Sequence, residues 1–447
     1  MSSAETDLDL LQDLLKKAKA AGADAADAIF VEGIALSHAQ RLGKIDMLER
    51  AEGQDLGLRV FVGHRQAIVS STDFSPAAID ELVARALAMA RSVPEDEFAG
   101  IADPDRVAHD YPTLDIAADD EPAPEVLIER ARAAEEAALA VDGITNSEGA
   151  DAAWSRTAIR LAASNGFTGA YARSHHSVSV APLAGEGTKM ERDYDFAVAI
   201  HGADLEDPAA IGRRAAERTL ARLNPRKVKT VKAPIVFEDR VARSLLGHFA
   251  GAVSGAVIAR GTSFLKDRMG EAVFADGVTV VDDPHRARGL NSKPFDGEGV
   301  ANRRMELVAD GRLTTWLLDL RSARQLGLET TGHAARGPSG PPSPAATNLY
   351  LEPGDRAPGE MIAEIENGFL VREMIGFGVN QVTGDYSRGA SGFWIENGEI
   401  AYPVSEVTIA GNLKDMFRNL VPANDLTFKY GTNAPTVRVD GMTVAGS

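Results

Sequence analysis

Ser263-Phe264-Leu265-Lys266 is an SxxK motif, in which a lysine one helical turn from a serine could take its proton and release an alkoxide to attack an acyl carbon. The KTG and SDN-like elements that accompany this motif in penicillin-recognising enzymes are missing, so Ser263 is expected to be structural. Asp282, Asp283, Asp296 and Glu298 crowd a turn-rich stretch and offer hard oxygen ligands. Their spacing is not that of an EF-hand, and solvated turn acids are the simpler expectation. Nine histidines are scattered, with one adjacent pair, His175-His176. On a strand those two rings point to opposite faces and cannot share a metal. His248 differs: at about 100° per residue it falls between Val241, Leu245, Phe249 and Ala252 on the apolar arc of a helix. It should pack or face a cleft, while the small residues Ser244, Gly251 and Gly255 flanking the arc let another backbone approach.

Other chemistries are excluded by what the chain lacks. There is no GxxxxGK[ST], GxSxG or HExxH, and the close glycine pairs Gly297/Gly299 and Gly376/Gly378 lack the third glycine of a dinucleotide loop. With no cysteine, disulfides, thiolate zinc sites and iron–sulfur clusters cannot form. The 47 Lys and Arg against 65 Asp and Glu give a net charge of −18, which repels nucleic acids and anionic membranes. No apolar run approaches the ~18 residues of a membrane span, and the acidic N-terminus is unlike a secretory leader, so a cytoplasmic location is expected.

These side chains must be held by elements that 447 residues can build, enough for two or three domains at roughly 150 residues each. Leu8, Leu11, Leu14, Leu15 and Ala18 predict an amphipathic helix over 6–20. Short strands follow at 28–30, 34–40, 56–62 and 66–71, with Gly33, Gly43, Gly53 and Gly63 as punctuation. Ser75 as cap and Pro76 at the first helical position predict a helix over 75–91. Further helices are expected at 125–141 and 208–223, with strands at 157–163, 177–181 and 195–200 between them. Residues 1–223 thus form an N-terminal α+β domain. The basic strip 224–231 is expected to be a linker. Residues 232–447 hold 27 of the 42 glycines, which predicts a turn-dense, mostly β C-terminal domain fronted by a helix over 239–256. The segment 337–346, GPSGPPSPAA, is expected to be an exposed extended loop.

Ordered blocks in the second half carry a resemblance. They are 262–267 (TSFLKD), Gly270-Glu271, 281–284 (VDDP), 295–299 (FDGEG), Thr331-Gly332, Asn348-Leu349, 383–387 (TGDYS), 395–398 (IENG), 408–412 (TIAGN) and 443–446 (TVAG). Together they resemble the PmbA/TldE branch of the TldD/PmbA metallopeptidase family, which the first half matches more loosely through its opening helix and the 57–62 strand. In that family the sister chain TldD carries HExxxH on a helix and a distant cysteine as third zinc ligand. Such a set leaves one zinc position for water, whose proton the glutamate takes. Here the corresponding helix reads LLGHFAGA over 245–252, with one histidine and no glutamate.

The resemblance therefore implies a non-catalytic subunit of a TldD/TldE-like heterodimeric zinc metallopeptidase, with no catalytic residue, no metal and no other cofactor in this chain and the zinc in the partner subunit. The partner would be an HExxxH paralogue, and the substrates unstructured peptides admitted to a closed chamber. Trimming of leader peptides of ribosomally made peptide antibiotics and degradation of labile antitoxin-like proteins are further roles it implies. Candidate peptide-contacting residues are His248, Gly384, Asp385, Tyr386 and Ser387. A homodimeric peptide-binding or assembly module without hydrolytic role is the alternative, and an autonomous hydrolase using Ser263 and Lys266 a third.

Overall fold

Leu11, Leu14, Leu15 and Ala18 are all buried, so helix α1 (Ser3–Ala20) lies with this face on a sheet. The computed structural model describes residues 3–118 and 120–446. The sheet is antiparallel and comprises β1 (Ala25–Arg41), β2 (Lys44–Val62), β3 (Arg65–Ser71), β4 (Ile144–Ala163), β5 (Thr168–Ala184), β6 (Glu191–Arg192) and β7 (Asp195–Ala199). Its order is β3-β2-β1-β4-β5-β6, with β7 also paired to β5. Helix α2 (Pro76–Ser92) starts as the sequence predicts, the Ser75 hydroxyl accepting from the Ala78 amide at 3.4 Å. Helices α3 (Pro124–Leu139) and α4 (Pro208–Ala221) complete this half.

Side-chain alternation decides what covers the sheet. Phe30 and Ala162 face α1 and α2, and Trp154 and Val178 face α3 and α4. Ile29 and Leu161, one residue along, project from the opposite face onto Phe167, Phe295 and Leu320. The C-terminal half therefore packs on the face that the helices leave bare.

The second half opens with β8 (Val231–Phe237), the fourth strand in the order Glu399–Asn412, Asp385–Glu396, Asn367–Ile375, β8, Val437–Ala445, Leu420–Pro422. Thr408, Ile409 and Ala410 also pair with Ala445, Val444 and Thr443, which turns the sheet back on itself into a ring. Helix α5 (Asp239–Ala252) follows β8 directly and buries Leu245 and Phe249. Phe249 meets the Phe274 ring edge-on at 5.3 Å. The fold is thus α+β with a β-rich C-terminal half, and among the described residues no helix is long and apolar enough to cross a membrane.

Several expectations are corrected. Gly33 and Gly53 do not end strands; they face each other in register within β1 and β2, each 17 residues or longer. Pairing of β1 with neighbours on both sides outweighs the weak strand preference of glycine. Helix α5 stops at Ala252, short of 256, because the Gly255 amide donates to the Leu317 carbonyl (2.8 Å) and the Leu317 amide to the Val253 carbonyl (3.0 Å). The segment 337–346 is a loop exposed at 337, 339, 341 and 343 as expected, but it is also tied down. Ser343–Pro344 pairs with Ala334–Ala335, and the Pro338 backbone lies so close to Gly57 of β2 that a side chain there would collide. The acids of 282–298 are not all solvated: Asp282, Asp296 and Glu298 are buried because they accept backbone amides that tie loops together.

Candidate functional site

The feature of α5 that bears on function is the face around His248, half-buried against Tyr386 of the strand Asp385–Glu396. Its ring meets Tyr386 edge-to-face, with centroids 6.0 Å apart and planes at 76°. Tyr386 is buried and its hydroxyl donates to Met374 Sδ at 3.1 Å. Burial, and secondarily the charge of Arg388, lowers the His248 pKa, and burial raises that of Tyr386. His248 Nε2 is buried and has no hydrogen-bond partner among the described residues.

The strip 384–387 is split by strand alternation. Tyr386 turns inward to His248, while Asp385 and Ser387 are exposed and do not join it. Asp385 accepts from Thr383 Oγ1 (2.6 Å) and Asn412 Nδ2 (3.0 Å), bonds that lower its pKa. Gly384 holds a positive φ of 86° against Asn412, a backbone state that favours glycine. The Ser387 amide donates to the Gly378 carbonyl at 2.7 Å, and a side chain on Gly378 would strike the Ser387 carbonyl. These bonds fix a rigid turn beside α5 whose apolar residues Ile375, Phe377 and Val382 face solvent, Phe377 at 97% exposure.

Sequence reasoning missed the arginine-lined groove one turn back along α5 from His248. It is a cavity of about 410 Å³ reached by Arg243, Ser244, Arg388 and Thr432. Arg243 lies 4.2 Å from the Tyr430 ring centroid. The arginines come from α5 and from strands distant in sequence, so no local spacing announces them.

The other sequence candidates resolve into structural roles. Ser263 is buried; its hydroxyl donates to the Ala252 carbonyl (2.6 Å) and accepts from the Leu265 amide (3.0 Å), while Lys266 is exposed. His175 and His176 do point apart on β5: His175 Nε2 lies 3.2 Å from the Leu290 carbonyl, His176 Nδ1 3.2 Å from Arg130. Burial lowers the pKa of both, that of His176 to about 4.

A zinc ion needs three or four converging N, S or O ligands. Around His248 the Tyr386 hydroxyl is given to Met374 and Asp385 points away, leaving one imidazole nitrogen. Among the described residues no three His, Asp or Glu side chains gather in a way that could hold a metal. The residues of α5 do not fit the zinc of a metallopeptidase.

Comparison with known proteins covers nearly the whole chain. Residues 26–90 match the model of PmbA/TldA metallopeptidase domain 1, 118–223 that of the central domain and 230–446 that of the C-terminal domain. The chain is 40% identical over 425 residues to the metalloprotease PmbA of Escherichia coli O157:H7, covering 95% of this chain and 92% of that protein. A crystal structure from Bacteroides thetaiotaomicron superposes with a TM-score of 0.92 at 27% identity, covering 100% of both chains. TldE from Thermococcus kodakarensis shares the fold with a TM-score of 0.89 at 21% identity, covering 98% of this chain and 100% of that one.

Proposed function

This chain belongs to the PmbA/TldD metallopeptidase family, and we propose that it is the non-catalytic subunit of a TldD/TldE-like heterodimeric zinc metallopeptidase that acts on unstructured peptides in the cytoplasm. The observation that carries this is α5: a helix in the family's C-terminal domain with a single, half-buried histidine packed on Tyr386 and no ligand beside it. The division into an N-terminal domain (1–223), a linker (224–231) and a C-terminal domain (232–447) is part of the same proposal.

Two surfaces support a partner. Among the described residues, 44–54 of β2 pair on one side only, with β1, and every one is exposed, so their outward edge is open to another strand. Ile45, Met47 and Leu48 add exposed apolar area there. The second surface is the turn beside α5, with Ile375, Phe377 and Val382. Peptides would be held there, next to His248 and the 384–387 strip, while the HExxxH-bearing partner supplies the zinc.

The test mixes this chain with such a paralogue and a disordered peptide, with and without a zinc chelator. Cleavage only by the mixture, abolished by chelation, is expected. Cleavage by this chain alone, or one tightly held zinc per chain after desalting, would sink the proposal.

A further inference from the structure

A second cavity lies elsewhere, between the bare face of the N-terminal sheet and the C-terminal half, with a volume of about 380 Å³. Its floor is apolar, made by Ile29, Ile159, Leu161 and Phe295. Three basic residues line it: Arg173 from β5, and Lys293 and Arg336 from the C-terminal half. In a chain of net charge −18, three basic residues gathered in one recess are unexpected on composition.

Their partners do not account for them. The Arg336 side chain is wholly buried; Nη1 serves Asp27, and Nε and Nη2 have no partner among the described residues. Asp27 is itself shared with Arg59, whose Nε donates to it at 2.9 Å. Lys293 Nζ donates to the Ala334 carbonyl at 2.9 Å and to no other acceptor among the described residues, and burial lowers its pKa against the pull of Asp296 and Asp282. Arg173 makes no hydrogen bond or ion pair among the described residues. The one carboxylate in the lining, Asp296, already accepts the amides of Glu298 (2.8 Å), Val300 (2.9 Å) and Ala334 (3.1 Å). Arg173 and Lys293 are only partly buried, but the two buried Arg336 donors without acceptors are costly, and native proteins seldom keep such donors unless something accepts from them. Water could take such a bond but brings no counter-charge to Arg173, which has no ion-pair partner among the described residues.

We infer that this cavity binds an oxyanion carried on an apolar body, a carboxylate whose oxygens sit between Arg173 and Lys293, with the buried Arg336 guanidinium behind them, while the body lies on Ile29, Ile159 and Phe295. The volume is in the range of small-ligand pockets, and a fixed guanidinium fork suits a carboxylate. The site is separate from α5, and the inference stands whether or not the chain has a catalytic partner.

The test is calorimetry on the full chain with N-acetyl-phenylalanine, its carboxamide, inorganic phosphate and a tetrapeptide ending in phenylalanine. Saturable one-site binding of the acid is expected, with the carboxamide and phosphate each at least ten-fold weaker. Arg173→Gln should weaken the acid at least ten-fold without moving the melting temperature by more than a few degrees; it is preferred to Arg336→Met, whose ion pair with Asp27 helps hold the fold. Either preference between tetrapeptide and free acid supports the site and identifies its source, a peptide C-terminus or a small acid. Equal binding of acid and carboxamide, phosphate binding as tight as the acid, wild-type affinity in both Arg173→Gln and Lys293→Met, or no saturable carboxylate binding would overturn it.

Discussion

Glu298 is buried where the two halves meet: one oxygen lies 3.3 Å from Arg59 Nη2 and the other accepts the Leu320 amide at 2.9 Å. Burial pushes its pKa from 4.5 up to about 7, against the opposing pull of Arg59. A carboxyl whose folded pKa is raised holds its proton where the unfolded chain has lost it. Between pH 4.5 and 7 the native state binds more protons, so this group's contribution to stability falls as pH rises through that window. At 1.36 kcal/mol for each pH unit, the full cost above pH 7 is about 3 kcal/mol. Glu298→Gln mimics the protonated form and removes this dependence. Wild type and variant should unfold alike near pH 4.5, with the variant pulling ahead to a plateau above pH 7. The assay is the urea midpoint of both proteins at each pH unit from 5 to 8. His175, His176 and His248, whose lowered pKa values act in the opposite sense, are common to both chains and cancel in the difference. Asp296 does not cancel fully, but losing a neighbouring negative charge favours the variant too. A difference that stays flat with pH, or a variant less stable at pH 8, would refute the reasoning.

Ser263→Ala strips the Leu265 amide of its acceptor inside the core, so it should cost about 1–3 kcal/mol while leaving cleavage by a reconstituted complex within a few-fold; a collapse in rate without unfolding would make Ser263 a nucleophile after all. His248→Leu removes a buried nitrogen that has no partner and keeps the packing on Tyr386, so its melting temperature should equal or exceed that of wild type, whereas His248→Ala should lower it. The pair Ile45→Lys and Met47→Lys touches only exposed positions and should leave the isolated chain within about 0.5 kcal/mol of wild type. The same pair should weaken association with the partner at least ten-fold by size-exclusion titration; unchanged association would free the β2 edge of any role.

Much of the architecture is legible because it rests on local pattern. The periodicity of Leu11, Leu14 and Leu15, the Ser75-Pro76 cap and the glycine density after residue 232 each act over a few residues, and each appears in the fold. Gly33 and Gly53 fail the local rule because their strand state comes from partners: Gly33 is flanked by Gly53 and Thr157, far off in sequence, and the ladder decides. The split of the 384–387 strip was legible in principle, since alternation alone separates Tyr386 from its neighbours once the strand is known.

The buried charges were out of reach of the sequence for a different reason. An acid or a base in a turn-rich stretch is solvated unless a complementary group from another part of the chain meets it, and no spacing encodes that meeting. Asp27 of β1 finds Arg59 through its own hairpin but Arg336 only through the packing of the C-terminal half on the sheet; Glu298 and Arg59 meet in the same way. Removing Asp27 leaves the Arg336 charge uncompensated, which commonly costs about 3–5 kcal/mol, so this contact fixes how the halves sit as firmly as the apolar contacts of Ile29 with Phe295 and Leu320 do. The unpaired donors of Arg336 stand at the edge of this network. A set of groups that satisfies Asp27, Asp296 and Glu298 yet leaves basic side chains over beside a cavity is arranged for an acceptor that the chain does not itself supply.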